Sequence, residues 1–122
     1  MPELKKYQMF IDGQWVDSDT KKTFETLNPE NNKPWAVVPE ASANDVDRAV
    51  KAAQKAFEGE WPKMLARDRA KYLRAIGNKL RENSELLGKI ETIDTGKLYR
   101  ETYQQAKYIA EYYDYYAGLA DK

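Results

Sequence analysis

The stretch AVVPEASANDVDRAVKAAQKAF, residues 36–57, changes its period halfway along, and that change decides the fold class. Up to Val38 the apolar residues are β-prone and bounded by prolines, the composition of a short strand. From Ser42 onward Val46, Ala49, Val50, Ala53 and Phe57 fall on one face of a helix, with Lys51, Gln54 and Lys55 outward. Ser42-Ala43-Asn44-Asp45 is a capping-box-like start, and Gly59 is placed to stop the helix. Strands therefore precede this point, and helices follow it.

Toward the N-terminus, Met9-Phe10-Ile11 and Gln14-Trp15-Val16 flank Asp12-Gly13. Asp-Gly between β-prone triplets is a strong hairpin signal, because a type I′ turn needs φ > 0 at both central residues. Phe24-Glu25-Thr26-Leu27, a turn-rich stretch over 28–33, and Pro34-Trp35-Ala36-Val37-Val38 predict a second pair of strands. Pro29, Pro34 and Pro39 cannot donate to a ladder, so these strands are expected to be short or to lie at an edge.

Toward the C-terminus, a second helix after Trp61-Pro62 turns Leu73, Ile76 and Leu80 inward and a basic face over 67–81 outward. Asn83-Ser84 is placed to cap a third, on which Leu86, Ile90 and Ile93 recur before Asp94-Thr95-Gly96 ends it. A last helix begins near Tyr99. The fold class is therefore α+β: short antiparallel strands and a hairpin, followed by about four helices. The expected division is 1–41, the strand and hairpin region, and 42–122, the helical part, within one incomplete domain.

The last helix carries two stripes. Tyr99, Tyr103, Ala106, Ala110, Tyr113, Ala117 and Ala120 follow one another at spacings of 4, 3, 4, 3, 4 and 3, the pattern of a packed seam. Tyr108, Tyr112, Tyr115 and Leu119 form a second stripe beside it. A helix apolar over more than half its circumference needs cover on two sides, and this chain is short of partners for it. Left bare, that surface is expected to drive self-association, by paired helices or exchange of the hairpin arm.

Composition excludes several chemistries. Of 122 residues, 20 are Lys or Arg and 20 are Asp or Glu, so the net charge is zero and no basic footprint for nucleic acid or an anionic membrane exists. No apolar run is long enough for a signal peptide or a membrane span, and the expected location is the cytoplasm. Neither Cys nor His is present, which removes thiol nucleophiles, imidazole bases and soft-metal ligands together. The glycines at 13, 59, 77, 88, 96 and 118 are never closer than eight residues, so no glycine-rich phosphate loop exists. Glu91 and Asp94, at i and i+3, could share a cation or a proton, though a solvated helix end is the favoured reading. The tyrosines could form a stacking platform, but without a basic groove a helix-packing seam is favoured.

The run MFIDGQWV, then ETLNPENNKPWAVVPEAS, NDVDRAVKAAQKAF, Trp61-Pro62, ETIDTGK and YYAGLADK resembles the N-terminal segment of the NAD(P)-dependent aldehyde dehydrogenase superfamily. The six pieces stand in unbroken order from about residue 7 to 122. The resemblance implies that these helices flank the parallel sheet of an α/β cofactor domain in a longer enzyme. That enzyme would oxidise an aldehyde to a carboxylic acid with NAD or NADP, through a cysteine thiohemiacetal and a thioester that a glutamate helps water to hydrolyse. The cysteine, the glutamate, the oxyanion asparagine and the cofactor turn would lie beyond residue 122, so this chain alone is expected to bind no cofactor and to be inactive.

The resemblance also implies site residues. A monovalent cation would be held by the backbone carbonyl of Leu27 and by Asp94. The helix over 99–120 would line one wall of the substrate tunnel, with Gln104 and Tyr108 facing it, and an aromatic wall suits an aromatic or bulky apolar aldehyde. The stretch between Gly96-Lys97 and Tyr115-Tyr116-Ala117-Gly118 is one residue shorter than in some members. The hairpin would lie near the subunit interface of a homo-oligomer. The alternative reading is a stand-alone helical interaction module whose tyrosine helix docks on another protein; a carboxylate hydrolase built on Glu91 and Asp94 has no other support.

Overall fold

Asp12 and Gly13 both take positive φ, 50° and 78°, as a type I′ turn requires, in the computed structural model, which describes residues 4–122. They join β2 (Met9–Ile11) to β3 (Gln14–Val16) as an antiparallel hairpin with Phe10 opposite Trp15. Those two rings meet at a tilt of 55° with centroids 5.0 Å apart, and both are exposed. The expected hairpin is present.

A second sheet holds β1 (Lys5–Lys6), β4 (Thr23–Asn28) and β5 (Lys33–Pro39) in the order β1-β5-β4. β5 runs antiparallel to β4 and parallel to β1. The expectation that the prolines confine these strands to short or edge positions is corrected here: β5 is seven residues long and central. The prolines escape the rule by position. β1 reaches only Ala36 and Val37, Pro34 sits beside the register shift between Thr26 and Leu27, and Pro39 is the last residue of the strand. Ala36, at the middle of this sheet, is fully buried.

Helix α1 (Ala43–Glu58) starts on the anticipated capping box. The Ser42 hydroxyl accepts from the Asp45 N–H at 3.1 Å, and the Asp45 carboxylate accepts from the Ser42 N–H at 3.0 Å. The apolar stripe of this helix is real but bare: Val46 and Val50 are exposed, and Phe57 is 70 % exposed. The side of α1 that meets the hairpin is instead that of Arg48, Lys51, Ala52 and Lys55, which line a hollow with Ile11, Gln14 and Val16. Lys55 pairs with Asp12 of the turn at 3.7 Å.

The chain divides after Pro62 into two compact units. The step from strand to helix at 41/42 therefore falls inside the first unit, which keeps α1 with the strands. A single 3-10 turn (Trp61–Lys63) lies at the junction.

The second unit, Lys63–Lys122, holds α2 (Ala66–Glu82), α3 (Ser84–Thr95) and α4 (Tyr99–Leu119). Its buried residues are small: Ala70, Gly77, Ser84, Gly88, Thr102, Ala106, Ala110 and Ala117. Small side chains let backbones approach closely, and the two glycines mark where this goes furthest. A Cβ on Gly77 would stand 3.1 Å from the Ala110 carbonyl of α4, and one on Gly88 would stand 2.9 Å from the backbone N and Cα of Tyr103. Thr102 fills the α3–α4 crossing with no exposed surface, its hydroxyl donating to the Gly88 carbonyl at 2.9 Å and lying 2.9 Å from the Thr92 hydroxyl. Arg81 of α2 pairs with Asp114 of α4 across the other crossing.

Two readings of the helix ends differ in outcome. Gly96 ends α3 as expected, in the left-handed region at φ 75°, with its N–H donating to the Thr92 carbonyl at 2.9 Å. Asn83 stands at the N-cap of α3, as expected, but makes no side-chain cap bond there. Its side-chain amide donates back to the Lys79 carbonyl at 2.8 Å, so it closes α2. Of the residues expected inward, Leu73, Leu80 and Ile90 are half-buried, whereas Ile76, Leu86 and Ile93 stay exposed.

Candidate functional site

Helix α4 divides its circumference as its two stripes predict. On the seam, Ala106, Ala110 and Ala117 are buried and Tyr103, Tyr113 and Ala120 half-buried, while Tyr99 at the first turn is more open. Alanine suits this face because the backbones of α2 and α3 come within contact of it. The second stripe is open. Tyr108 is 57 % and Tyr112 49 % exposed, and Tyr115, Tyr116 and Leu119 join them at the surface.

The open tyrosines are organised among themselves. Tyr108 and Tyr112, one helical turn apart, meet edge to face with centroids 5.1 Å apart, and the Tyr112 hydroxyl donates to the Tyr108 oxygen at 3.2 Å. Donating that proton raises the Tyr112 pKa above the ordinary phenol value of 10.0. Tyr115 and Tyr116 form a second edge-to-face pair at 5.4 Å. Together with Glu111 these four rings line a shallow hollow of about 380 Å³. Gln104 and Tyr108 lie together on a neighbouring hollow with Gln105, Lys107 and Glu111. The two residues expected to face a tunnel thus share one exposed helix face.

The two residues expected to hold a cation are in different units. Leu27 is on β4 beside the register shift, opposite Pro34, a residue with no N–H to offer its carbonyl. Asp94 is exposed in the last turn of α3. Its neighbour Glu91 accepts from the Lys97 ammonium at 2.7 Å, so the Glu91 carboxylate is engaged by a cation already in the chain. Among the described residues no group of three or more Cys, His, Asp or Glu side chains could hold a metal ion.

The most perturbed carboxylate lies elsewhere. Asp45 is 1 % exposed and accepts from the Ser42 N–H at 3.0 Å, the Ser18 hydroxyl at 3.0 Å, the Asp19 N–H at 3.2 Å and the Arg48 guanidinium at 2.5 Å. These donors, led by the Ser42 N–H, hold its carboxyl far below the usual range against the opposing effect of burial. A carboxylate so fully engaged has no lone pair left for general-base work, and it ties the Ser18-Asp19 loop to the start of α1. Sequence reasoning saw Asp45 only as a helix cap; its link to Ser18, 27 residues earlier, leaves no local signal. In the same unit the Tyr7 hydroxyl and Trp35 indole N–H are buried without a hydrogen-bond partner among the described residues, their rings 6.2 Å apart.

Among the described residues no helix is long and apolar enough to cross a membrane. The sequence profile of the aldehyde dehydrogenase family matches residues 15–122. The chain is 41 % identical over 120 residues to (Z)-2-((N-methylformamido)methylene)-5-hydroxybutyrolactone dehydrogenase of Acinetobacter baylyi, covering 98 % of this chain and 24 % of that protein. It is 40 % identical over 124 residues to aldehyde dehydrogenase family 2 member C4 of Arabidopsis thaliana, covering 100 % of this chain and 25 % of that one. Among solved structures, betaine aldehyde dehydrogenase of Staphylococcus aureus in complex with NAD+ superposes with a TM-score of 0.90 at 43 % identity, over 94 % of this chain and 23 % of that one. NAD-dependent aldehyde dehydrogenase of Sinorhizobium meliloti gives a TM-score of 0.92 at 32 % identity, over 98 % and 24 % of the two chains. This chain spans about a quarter of the length of the relatives it matches.

Proposed function

The chain belongs to the aldehyde dehydrogenase family, and on that premise we propose that it is the N-terminal quarter of an NAD(P)-dependent enzyme that oxidises an aldehyde to a carboxylic acid. In that enzyme a cysteine thiolate adds to the aldehyde carbon, hydride leaves for the bound nicotinamide, and water hydrolyses the resulting thioester with help from a glutamate. The observation that carries the reading is the match over 15–122 joined to a chain with no cysteine. Without a thiol nucleophile and without a glycine-rich phosphate loop, these residues supply framework and wall rather than reaction centre.

The α2–α3–α4 seam fixes α4, and its bare tyrosine face, with Gln104 and Tyr108, lines the aldehyde's path; aromatic walls favour an aromatic or bulky apolar substrate. The Leu27 carbonyl and the Asp94 carboxylate are each oxygen donors, the hard ligand type that a monovalent cation of the resemblance would take. The whole enzyme works in the cytoplasm as a homo-oligomer, with the hairpin near the subunit interface.

Incubating the purified 122-residue chain with NAD+ or NADP+ and a panel of aldehydes tests the division of labour. No reduced cofactor is expected; turnover by this chain would sink it. The exposed tyrosine face favours one other reading, a helical module that docks on another protein, and that reading requires a reading frame that stops after Lys122.

A further inference from the structure

The Tyr108–Tyr112 contact has a direction. Tyr112 donates and the Tyr108 oxygen accepts, so the Tyr108 proton is not committed to this pair. A hydroxyl that already accepts a hydrogen bond is polarised and donates more strongly, because chains of hydrogen bonds reinforce one another. At 3.2 Å the bond is long for O–H···O and has room to tighten when Tyr108 donates onward. The edge-to-face packing of the rings, centroids 5.1 Å apart and planes at 81°, holds the two hydroxyls at the same end of the face. Around them Tyr115 and Tyr116 supply ring surface and Glu111 a carboxylate at the margin of the hollow.

We propose that Tyr112 is a positioning residue that presents the Tyr108 hydroxyl as a hydrogen-bond donor, so that this wall selects aldehydes carrying an acceptor oxygen on an aromatic body. The inference rests on the reading that the tyrosine face of α4 lines the aldehyde's path. An ether or hydroxyl oxygen on the ring meets the Tyr108 proton while the ring itself lies against the aromatic surface. Leaving a donor that faces substrate unsatisfied is what disfavours the analogue without oxygen. The raised pKa of Tyr112 has the same origin, since its proton is held by the Tyr108 oxygen.

Two measurements separate the pair from the wall. In the 122-residue chain, the ring-carbon NMR titration of Tyr112 is compared between wild type and Tyr108→Phe. Tyr112 is expected to titrate higher in the wild type and to return toward the ordinary phenol value in the variant; identical titrations overturn the pairing. In the full-length enzyme, kcat/KM is compared for 4-methoxybenzaldehyde and 4-ethylbenzaldehyde, which differ only by O in place of CH2. A preference of roughly 3-fold to 10-fold for the methoxy compound is expected, falling to near 1 in Tyr112→Phe with little change for the ethyl compound. No preference in the wild type, or one that survives Tyr112→Phe, overturns the proposal while the wall reading stands. If Tyr108→Ala leaves kcat/KM unchanged for both aldehydes, the wall reading fails, and the proposal with it.

Discussion

Replacing Gly88 by alanine tests the packing that holds α4 in place. At an open helix position this change stabilises by up to about 1 kcal/mol, because glycine costs more backbone entropy than alanine. At Gly88 the new methyl would sit 2.9 Å from the backbone N and Cα of Tyr103 and 3.2 Å from its Cβ, and backbone cannot rotate away as a side-chain tip would. Forcing a methyl into such a contact costs roughly 1–3 kcal/mol. Gly118 supplies the control, since it lies on α4 itself and its added Cβ meets nothing within 4 Å. The propensity gain is common to both variants, so their difference isolates the overpacking cost at about 1–3 kcal/mol; Gly118, next to the helix end, takes the smaller share of that gain. Urea unfolding read by tyrosine near-ultraviolet circular dichroism is the assay. Eight of the nine tyrosines lie in the second unit and all three tryptophans in the first, so the two units report separately. With a slope of about 1.5 kcal/mol/M, the midpoint of Gly88→Ala should fall about 0.7–2 M below that of Gly118→Ala. Equal midpoints, or a stabilised Gly88→Ala, would refute the close α3–α4 crossing.

Three further outcomes follow from the same geometry. Thr102→Val keeps the shape but removes the hydroxyl that bonds the Gly88 carbonyl, and it should destabilise the second unit by about 1 kcal/mol in the tyrosine-detected transition. Ser42→Ala removes the cap of α1 and should destabilise the first unit by about 1 kcal/mol when tryptophan fluorescence follows unfolding; an unchanged midpoint would contradict the capping box. The folded pKa of Asp45 is depressed, so its contribution is fully present above the unfolded value of 3.8 and is lost as pH falls below it. Asp45→Asn should therefore unfold more easily at neutral pH and lose the part of the acid transition that the wild type shows below about pH 4; equal acid limbs in the two proteins would contradict that assignment.

Much of this fold is legible in the sequence because its signals are local. Asp12-Gly13, Ser42 with Asp45, Gly96, and the 4-3 spacing of Ala106, Ala110, Tyr113 and Ala117 each state their structure within one turn of chain. Elements set by distant partners are silent. Lys5-Lys6 becomes a strand only because the backbone of β5 offers an open edge, and two lysines carry no apolar pattern to announce it. The prolines of β5 suggest an edge, yet the strand is central, because β1 covers only the two residues between them. Periodicity also tells which face is apolar without telling what covers it. Val46, Val50 and Phe57 on α1 and the tyrosines on α4 follow the helical period as faithfully as the buried seam does, and they are exposed. The candidate site is less legible: spacing puts Gln104 one turn before Tyr108, but their choice as site residues comes from the family resemblance, and the hydroxyl bond from Tyr112 to Tyr108 depends on rotamers that spacing does not set.

The central claim is that these 122 residues are the first quarter of an aldehyde dehydrogenase, and the coding sequence beyond residue 122 tests it most directly. Sequencing the transcript should show the frame continuing without interruption into a cofactor-binding fold and, further on, a cysteine in position to attack an aldehyde. A stop codon directly after Lys122 would contradict the account and leave the tyrosine face of α4 as the docking surface of a free-standing module.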